Sequence, residues 1–173
     1  MYMNIPELHK KYEKAREAYL KYRYTNKTNN IESDYLEKAQ TFLEKYYDKV
    51  LMIPDSFLNY LGTDVVALKN DEAYTIDLKV CQFYYDFDVL VDAKKKDENG
   101  NWINALDLKI TDLFLFINHD HILLVNRDVI QKKLDELKDD DLFFLGRDIY
   151  HTTKKAVLRL KKEDYLLCEY SKA

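Results

Sequence analysis

The stretch "GTDVVALKNDEAYTIDLKV", residues 62–80, holds two apolar runs on either side of a polar turn at Asn70-Asp71, with Asp64, Asp77 and Lys79 at the outer ends. Read as a hairpin with a two-residue loop, it has a countable register. Lys69 faces Glu72, Leu68 faces Ala73, and Asp64 faces Asp77. Directly opposed residues on one face have Cβ atoms about 4.5–5.5 Å apart. Lys79 lies two residues past Asp77 and so points to the same side. Two opposed carboxylates repel each other, and something must offset that. A hard divalent cation such as Mg2+ takes oxygen ligands of this kind. A lysine beside it can orient a water or stabilise developing negative charge.

This arrangement resembles the PD-(D/E)xK nuclease superfamily, whose pattern is an Asp at a strand end, a variable spacer, then Asp or Glu, any residue, and Lys. Here these are Asp64, the spacer "VVALKNDEAYTI", and "DLK" at 77–79. The resemblance implies a restriction-endonuclease-like core and Mg2+-dependent (or Mn2+-dependent) hydrolysis of phosphodiester bonds, in DNA first, with RNA as the other candidate. By the same resemblance Asp64 and Asp77 are metal ligands and Lys79 helps activate the attacking water. Many members add a Glu from the helix before the hairpin. Glu37 and Glu44 stand seven residues apart there, and Glu44 is the preferred catalytic residue and third metal ligand. Gln82, three residues after Lys79, matches a site Gln of some members. The later segment "GNWINALDLKITDLFLFI" is similar to phage and mobile-element members: a Trp-containing turn, then Lys-x-Thr-Asp opening a core strand. Gly62-Thr63-Asp64 replaces the Pro-Asp of the motif's name. A literal Pro54-Asp55 has a compatible spacer, but only Asp64 directly precedes a strand in register with Asp77. The resemblance also implies a homodimer, the form in which many such nucleases cut duplexes. The scaffold also serves without catalysis. The alternative is therefore a nuclease-fold protein that acts by binding: a nucleic-acid-binding module, or a phage-encoded inhibitor of a host defence nuclease.

Around this core the chain reads as an ordinary globular protein. Its 173 residues are 47% hydrophobic and 34% charged, enough for one domain with a real core and too apolar for a disordered chain. One domain is expected over 1–173, with 1–30 as an N-terminal helical extension and 31–173 as the nuclease-like core. The net charge of −4 argues against a non-specific nucleic-acid coat protein but not against a local basic cleft. No apolar run approaches the roughly 18 residues that a membrane span needs, and the polar N-terminus is no secretory signal. The two cysteines, Cys81 and Cys168, give no metal spacing and read as reduced, small near-core residues of a cytoplasmic protein.

The helical periods fall at 5–24 and about 32–48, the second with Leu36, Ala39, Leu43, Tyr46 and Tyr47 as its stripe. After the hairpin, "VCQFYYDFDVLVDA" extends its second strand or begins a third. "TDLFLFI" and "HILLV" read as a buried antiparallel pair, "RDVIQKKLDELKDDD" as a helix, and "AVLRLKKEDYLLCEY" as a strand followed by a short helix or extended piece. Helices followed by strands predict an α+β (or α/β) domain: a central mixed sheet flanked by helices on both sides. Basic, aromatic-rich stretches at 19–27 and 151–162, the latter with Lys154, Lys155, Arg159, Lys161 and Lys162, are candidate phosphate-binding patches. His119 and His121 share a strand face but have no third ligand nearby, and a polar hairpin turn explains them better.

Overall fold

The computed structural model describes residues 33–53, 57–80, 88–118, 120–146 and 148–170; the expected helix over 5–24, Pro54-Asp55, Cys81, Gln82 and His119 lie outside these. Chain order is α1 (Ser33–Glu44), β1 (Lys49–Met52), a four-residue α2 (Phe57–Tyr60), β2 (Val65–Lys69), β3 (Glu72–Val80), β4 (Asp88–Lys96) and β5 (Trp102–Asn104). Then come a 3-10 turn (Ala105–Leu108), β6 (Leu113–Ile117), β7 (His121–Asn126), α3 (Arg127–Asp135), β8 (Thr153–Arg159) and β9 (Leu167–Tyr170). The described residues form a mixed α+β fold with two sheets. A six-stranded sheet runs β1-β2-β3-β6-β7-β9, and a three-stranded sheet runs β5-β4-β8.

The hairpin takes the register counted from the sequence: Lys69 pairs with Glu72, Leu68 with Ala73, and Val65 with Ile76. The Asp64 amide donates to the Ile76 carbonyl at 2.9 Å, which carries the ladder one residue further. Asn70 and Asp71 sit at φ 51° and 65°, both left-handed, as a two-residue turn matched to the strand twist requires. β3 pairs with β6 in parallel, Asp77 beside Phe114 and Lys79 beside Phe116. A parallel pair needs a long crossover. Here it spans 81–112 and carries β4, β5 and the 3-10 turn.

β3 alternates, so its two faces enter two different cores. On one side Ile76 and Leu78 pack with Val65, Ala67, Leu115 and Leu124 against Ala39, Phe42 and Leu43 of α1. Each fully buried side chain such as Phe42 or Leu43 contributes about 1.5–3 kcal/mol. On the other side Phe114, Phe116, Leu123 and Val125 pack against Val89 and Val91 of β4, Ala156 and Leu158 of β8, and Ile130 of α3. Among the described residues a helix stands on each face, but α1 covers the first whereas α3 shares the other with a second sheet that was not expected. The cause is the period-2 pattern of Val89-x-Val91-x-Ala93 and Ala156-x-Leu158-x-Leu160, which gives the second sheet one continuous apolar face.

Two further boundaries shift. The helix expected to 48 ends at Glu44, and Lys49–Met52 is a strand on β2, Met52 opposite Val65. Val50 and Met52 pack on the first core while Leu51 between them is 42% exposed, a strand's alternation that the helix's apolar stripe runs into. The tail forms two strands, β8 and β9, joined by a 3-10 turn at Lys162–Asp164.

Candidate functional site

Because Ile76 and Leu78 face α1, Asp77 and Lys79 face the opposite way. Asp77 is 2% exposed and Asp64 9%. Asp64 Oδ2 accepts the Leu78 amide at 2.7 Å and its Oδ1 accepts Asn59 Nδ2 at 2.9 Å. Asp64 stands opposite Asp77, one step beyond the Val65–Ile76 pair, and is among the groups that hold the Asp77 carboxyl down. Two ammonium groups converge on Asp77 Oδ2: Lys109 Nζ at 2.6 Å and Lys79 Nζ at 3.3 Å. A second acid–base knot adjoins them. Asp92 on β4 meets Lys155 Nζ of β8 at 2.5 Å and Lys95 Nζ at 3.4 Å, and the charge of Lys79 reaches it too.

The local sequence explains how Lys109 arrives. Asn104 Oδ1 accepts the Leu106 amide and starts the 3-10 turn. Arg127, the first residue of α3, then donates to three carbonyls of the segment that follows: Leu106, Lys109 at 2.9 Å and Thr111 at 3.3 Å. Thr111 Oγ1 donates to the Gly62 carbonyl at 2.7 Å and the Ile110 amide to the Leu61 carbonyl at 3.0 Å, so the segment is tied to the turn that carries Asp64. Gly62 is needed for that closeness. It sits at φ +82°, and a Cβ on it would lie 2.3 Å from Thr111 Oγ1.

The charges set one another. Burial pushes the Asp77 carboxyl up, but Lys79 and Lys109 outweigh it and hold it below the ordinary carboxylate value. Asp92 is likewise penalised by burial and pulled down further by Lys95 and Lys155, ending well below the ordinary range. Burial, and then repulsion from Lys79, bring Lys109 down to about 8 against the opposing attraction of Asp77.

Asp64, Asp77 and Lys79 are thus brought together. Glu44 is not with them: it sits exposed on α1, accepting Gln40 Nε2 at 2.9 Å, and α1 packs on the opposite face of β3. Glu37 lines a shallow cavity with Lys38, Thr41, Lys45 and Glu169, also away from Asp77. The physical reason is the strand's period of two, which separates Asp77 from the helix that Ile76 and Leu78 contact. Sequence reasoning missed Lys109, Asp92 and Asn59. The Lys-x-Thr-Asp run marked the segment of Lys109 without giving that lysine a role.

The repulsion between Asp64 and Asp77 is offset here by the two ammonium groups, one backbone amide and one side-chain amide, so the charges by themselves do not demand a metal. Among the described residues no cluster of three or more Asp, Glu, His or Cys side chains is placed to hold an ion. Two opposed carboxylates still fit Mg2+, which is usually held by one or two carboxylates, with water and phosphate oxygens filling the rest of its shell. Among the described residues no helix is long and apolar enough to cross a membrane. A scan against protein-family models and searches of curated proteins and of solved structures find no match. What the chain offers is therefore its own geometry: two buried, opposed carboxylates at the ends of paired strands, with Lys79 of the same strand and Lys109 of a further segment converging on Asp77.

Proposed function

We propose that Asp64, Asp77 and Lys79 form the centre of a phosphodiester-hydrolysing enzyme of restriction-endonuclease-like architecture, acting on DNA. The observation that carries this reading is the pair of buried carboxylates opposed at the ends of paired strands, with Lys79 Nζ 3.3 Å from one of them. Asp64 and Asp77 would hold a Mg2+ or Mn2+ ion, which supplies charge neutralisation at the phosphate and a more acidic water. The chain's own groups do the rest. Asn59 and the Leu78 amide fix Asp64 through both of its oxygens. Lys109 holds Asp77 from the side of the 105–112 segment. Lys79, 30% exposed, is the cation with access to solvent, so it can orient the attacking water and meet the developing negative charge.

A cleavage assay with Mg2+ and with Mn2+ tests this, using single- and double-stranded DNA and wild type, Asp77→Asn and Lys79→Ala. Cleavage by wild type that falls by about two orders of magnitude or more in both variants is expected for groups acting on the transition state. No cleavage by wild type, or equal cleavage by the variants, overturns the reading. One observation favours a second reading, a nuclease-fold protein that acts by binding alone: Asp77 is already neutralised by two ammonium groups. In that case wild type binds nucleic acid or a host defence nuclease without cutting.

A further inference from the structure

At the far end of the three-stranded sheet, cations and rings gather away from Asp77. Trp102 on β5 pairs with Lys96 on β4, and Lys94 pairs directly with Lys154 of β8. Like charges directly opposed across a ladder are destabilising. Asp139 offsets them, at 3.6 Å from Lys94 and 3.2 Å from Lys154, and it is 66% exposed. The remaining excess charge sits on the indole: Lys154 Nζ lies 4.7 Å and Lys96 Nζ 5.1 Å from the Trp102 ring centroid. Two neighbouring acids are engaged with backbone amides. Asp97 accepts the Asn99 and Asn101 amides, and Asp148 accepts those of Thr152 and Thr153. Beside Trp102, Phe144 stands at 5.9 Å, and the exposed His151 ring stacks on Phe144 at 4.2 Å and 11°.

We propose that this surface binds single-stranded nucleic acid, Trp102 serving as a platform for a base and Lys94, Lys96 and Lys154 as phosphate contacts. The chemistry that fits it needs an aromatic face and negative charge together. Unstacked bases present such faces and duplex bases do not, and their backbone supplies the anions. An ammonium over a partly exposed ring is held by only about 0.5–1 kcal/mol, and an ion pair with a largely exposed carboxylate such as Asp139 by a similar amount, so Lys96 and Lys154 can move to phosphates and free the ring. The basic stretch at 151–162 is divided by the fold. Arg159 pairs with Asp88 at 2.9 Å and Lys155 with Asp92, whereas Lys154 goes to Trp102 and to the exposed Asp139. From Asp92, beside the proposed hydrolytic centre, to Lys96 the strand runs about 13 Å at roughly 3.3 Å per residue. A strand whose phosphate lay at Asp77 would reach Trp102 along β4. Only this last placement rests on the hydrolytic reading; the binding does not.

Trp102 is the only tryptophan of the chain, so its emission reports the surface directly. The test titrates a twelve-residue oligothymidylate into the full chain in EDTA, with anisotropy of a labelled copy in parallel. Quenching of Trp102 is expected, with a log–log salt slope of about −2 for three phosphate contacts on a single strand. The double variant Lys96→Ala/Lys154→Ala is expected to lose about tenfold in affinity, and Trp102→Ala, read by anisotropy, at least about fivefold. Urea midpoints confirm that each variant is folded, and Lys96→Gln alone, at an exposed position, serves if the double variant is not. No quenching and no anisotropy change, variants that bind like wild type, or a duplex of mixed sequence that binds as tightly as either of its single strands, each overturn the proposal. Cleavage is scored separately in Mg2+. Quenching without cleavage sinks the hydrolytic reading and leaves this surface standing; cleavage without quenching does the reverse.

Discussion

Asp77→Asn isolates the buried charge pair. Lys109 Nζ lies 2.6 Å from Asp77 Oδ2, and its side chain is 9% exposed. At an effective dielectric constant of about 20, that separation corresponds to roughly 6 kcal/mol of attraction. Most of it offsets the cost of taking two ions out of water, so the intact pair contributes little net stability. A neutral amide in place of the carboxylate removes the attraction and leaves the Lys109 desolvation in place. Lys109 has one escape, loss of its proton, which at pH 7 costs about 4.6 kcal/mol relative to an unfolded-state value near 10.4. The loss in Asp77→Asn is therefore capped near that figure, and about 3–5 kcal/mol is expected. Adding Lys109→Met removes the orphaned charge, and Lys79 can turn to solvent. Urea unfolding of the two single variants and the double variant should show the double variant recovering at least about 2 kcal/mol over Asp77→Asn. A double variant as unstable as Asp77→Asn, or less stable, refutes the claim that the buried ammonium is what Asp77 holds in place. Recovery to near wild type would also mean that stability is not the reason this pair exists.

Gly62→Ala forces a non-glycine residue to φ +82° and drives its Cβ into Thr111 Oγ1; a loss of about 2–4 kcal/mol is expected, combining roughly 1–2 for the backbone with a broken buried hydrogen bond. Thr111→Ala removes the clashing oxygen, so Gly62→Ala/Thr111→Ala should be more stable than the sum of the single losses by about 1 kcal/mol, and strict additivity in urea melts would count against it. Lys109, brought down to about 8 from 10.5, binds fewer protons folded than unfolded between those values. Its contribution to stability therefore rises with pH through that window, by at most about 1.4 kcal/mol per unit, and Lys109→Met should flatten the rise. Asp77, held below 3.8, contributes in the opposite sense: its stabilisation is present above that value and is lost as pH falls through its lower folded value, which Asp77→Asn should remove from the acid limb. Asp71→Gly relieves a left-handed aspartate at φ 65° and should raise stability by up to about 1 kcal/mol by thermal melting.

The hairpin was legible because its turn is two residues long and its strands are amphipathic, which leaves one register that buries Val65, Ala67, Ile76 and Leu78 together. Asp64 opposite Asp77 follows by counting. Lys109 was not legible, because nothing local to residue 109 says that β6 will lie parallel to β3 and bring its entry segment to Asp77. That placement depends on Arg127, Thr111 and Gly62, three residues far apart in the chain. Glu44 lies across the sheet from Asp77, which the sequence could not show, because spacing fixes which residues of α1 share a stripe but not which face of the sheet receives the helix. The strand at Lys49–Met52 was hidden because Tyr46, Tyr47 and Val50 prolong a helical apolar period by coincidence.

The 81–112 crossover also orders events in time. β2 and β3 are joined by two residues and can pair within microseconds, bringing Asp64 and Asp77 together with only the local Lys79, Asn59 and Leu78 amide to offset their repulsion. Lys109 reaches them only when β6 has closed against β3 over that long connection, and contacts of such separation form slowly. The chain thus meets a partly compensated charge pair first and its closest counter-ion last. Low salt should slow the early step and high salt should speed it, so refolding rate, more than final stability, is where ionic strength will register in this protein.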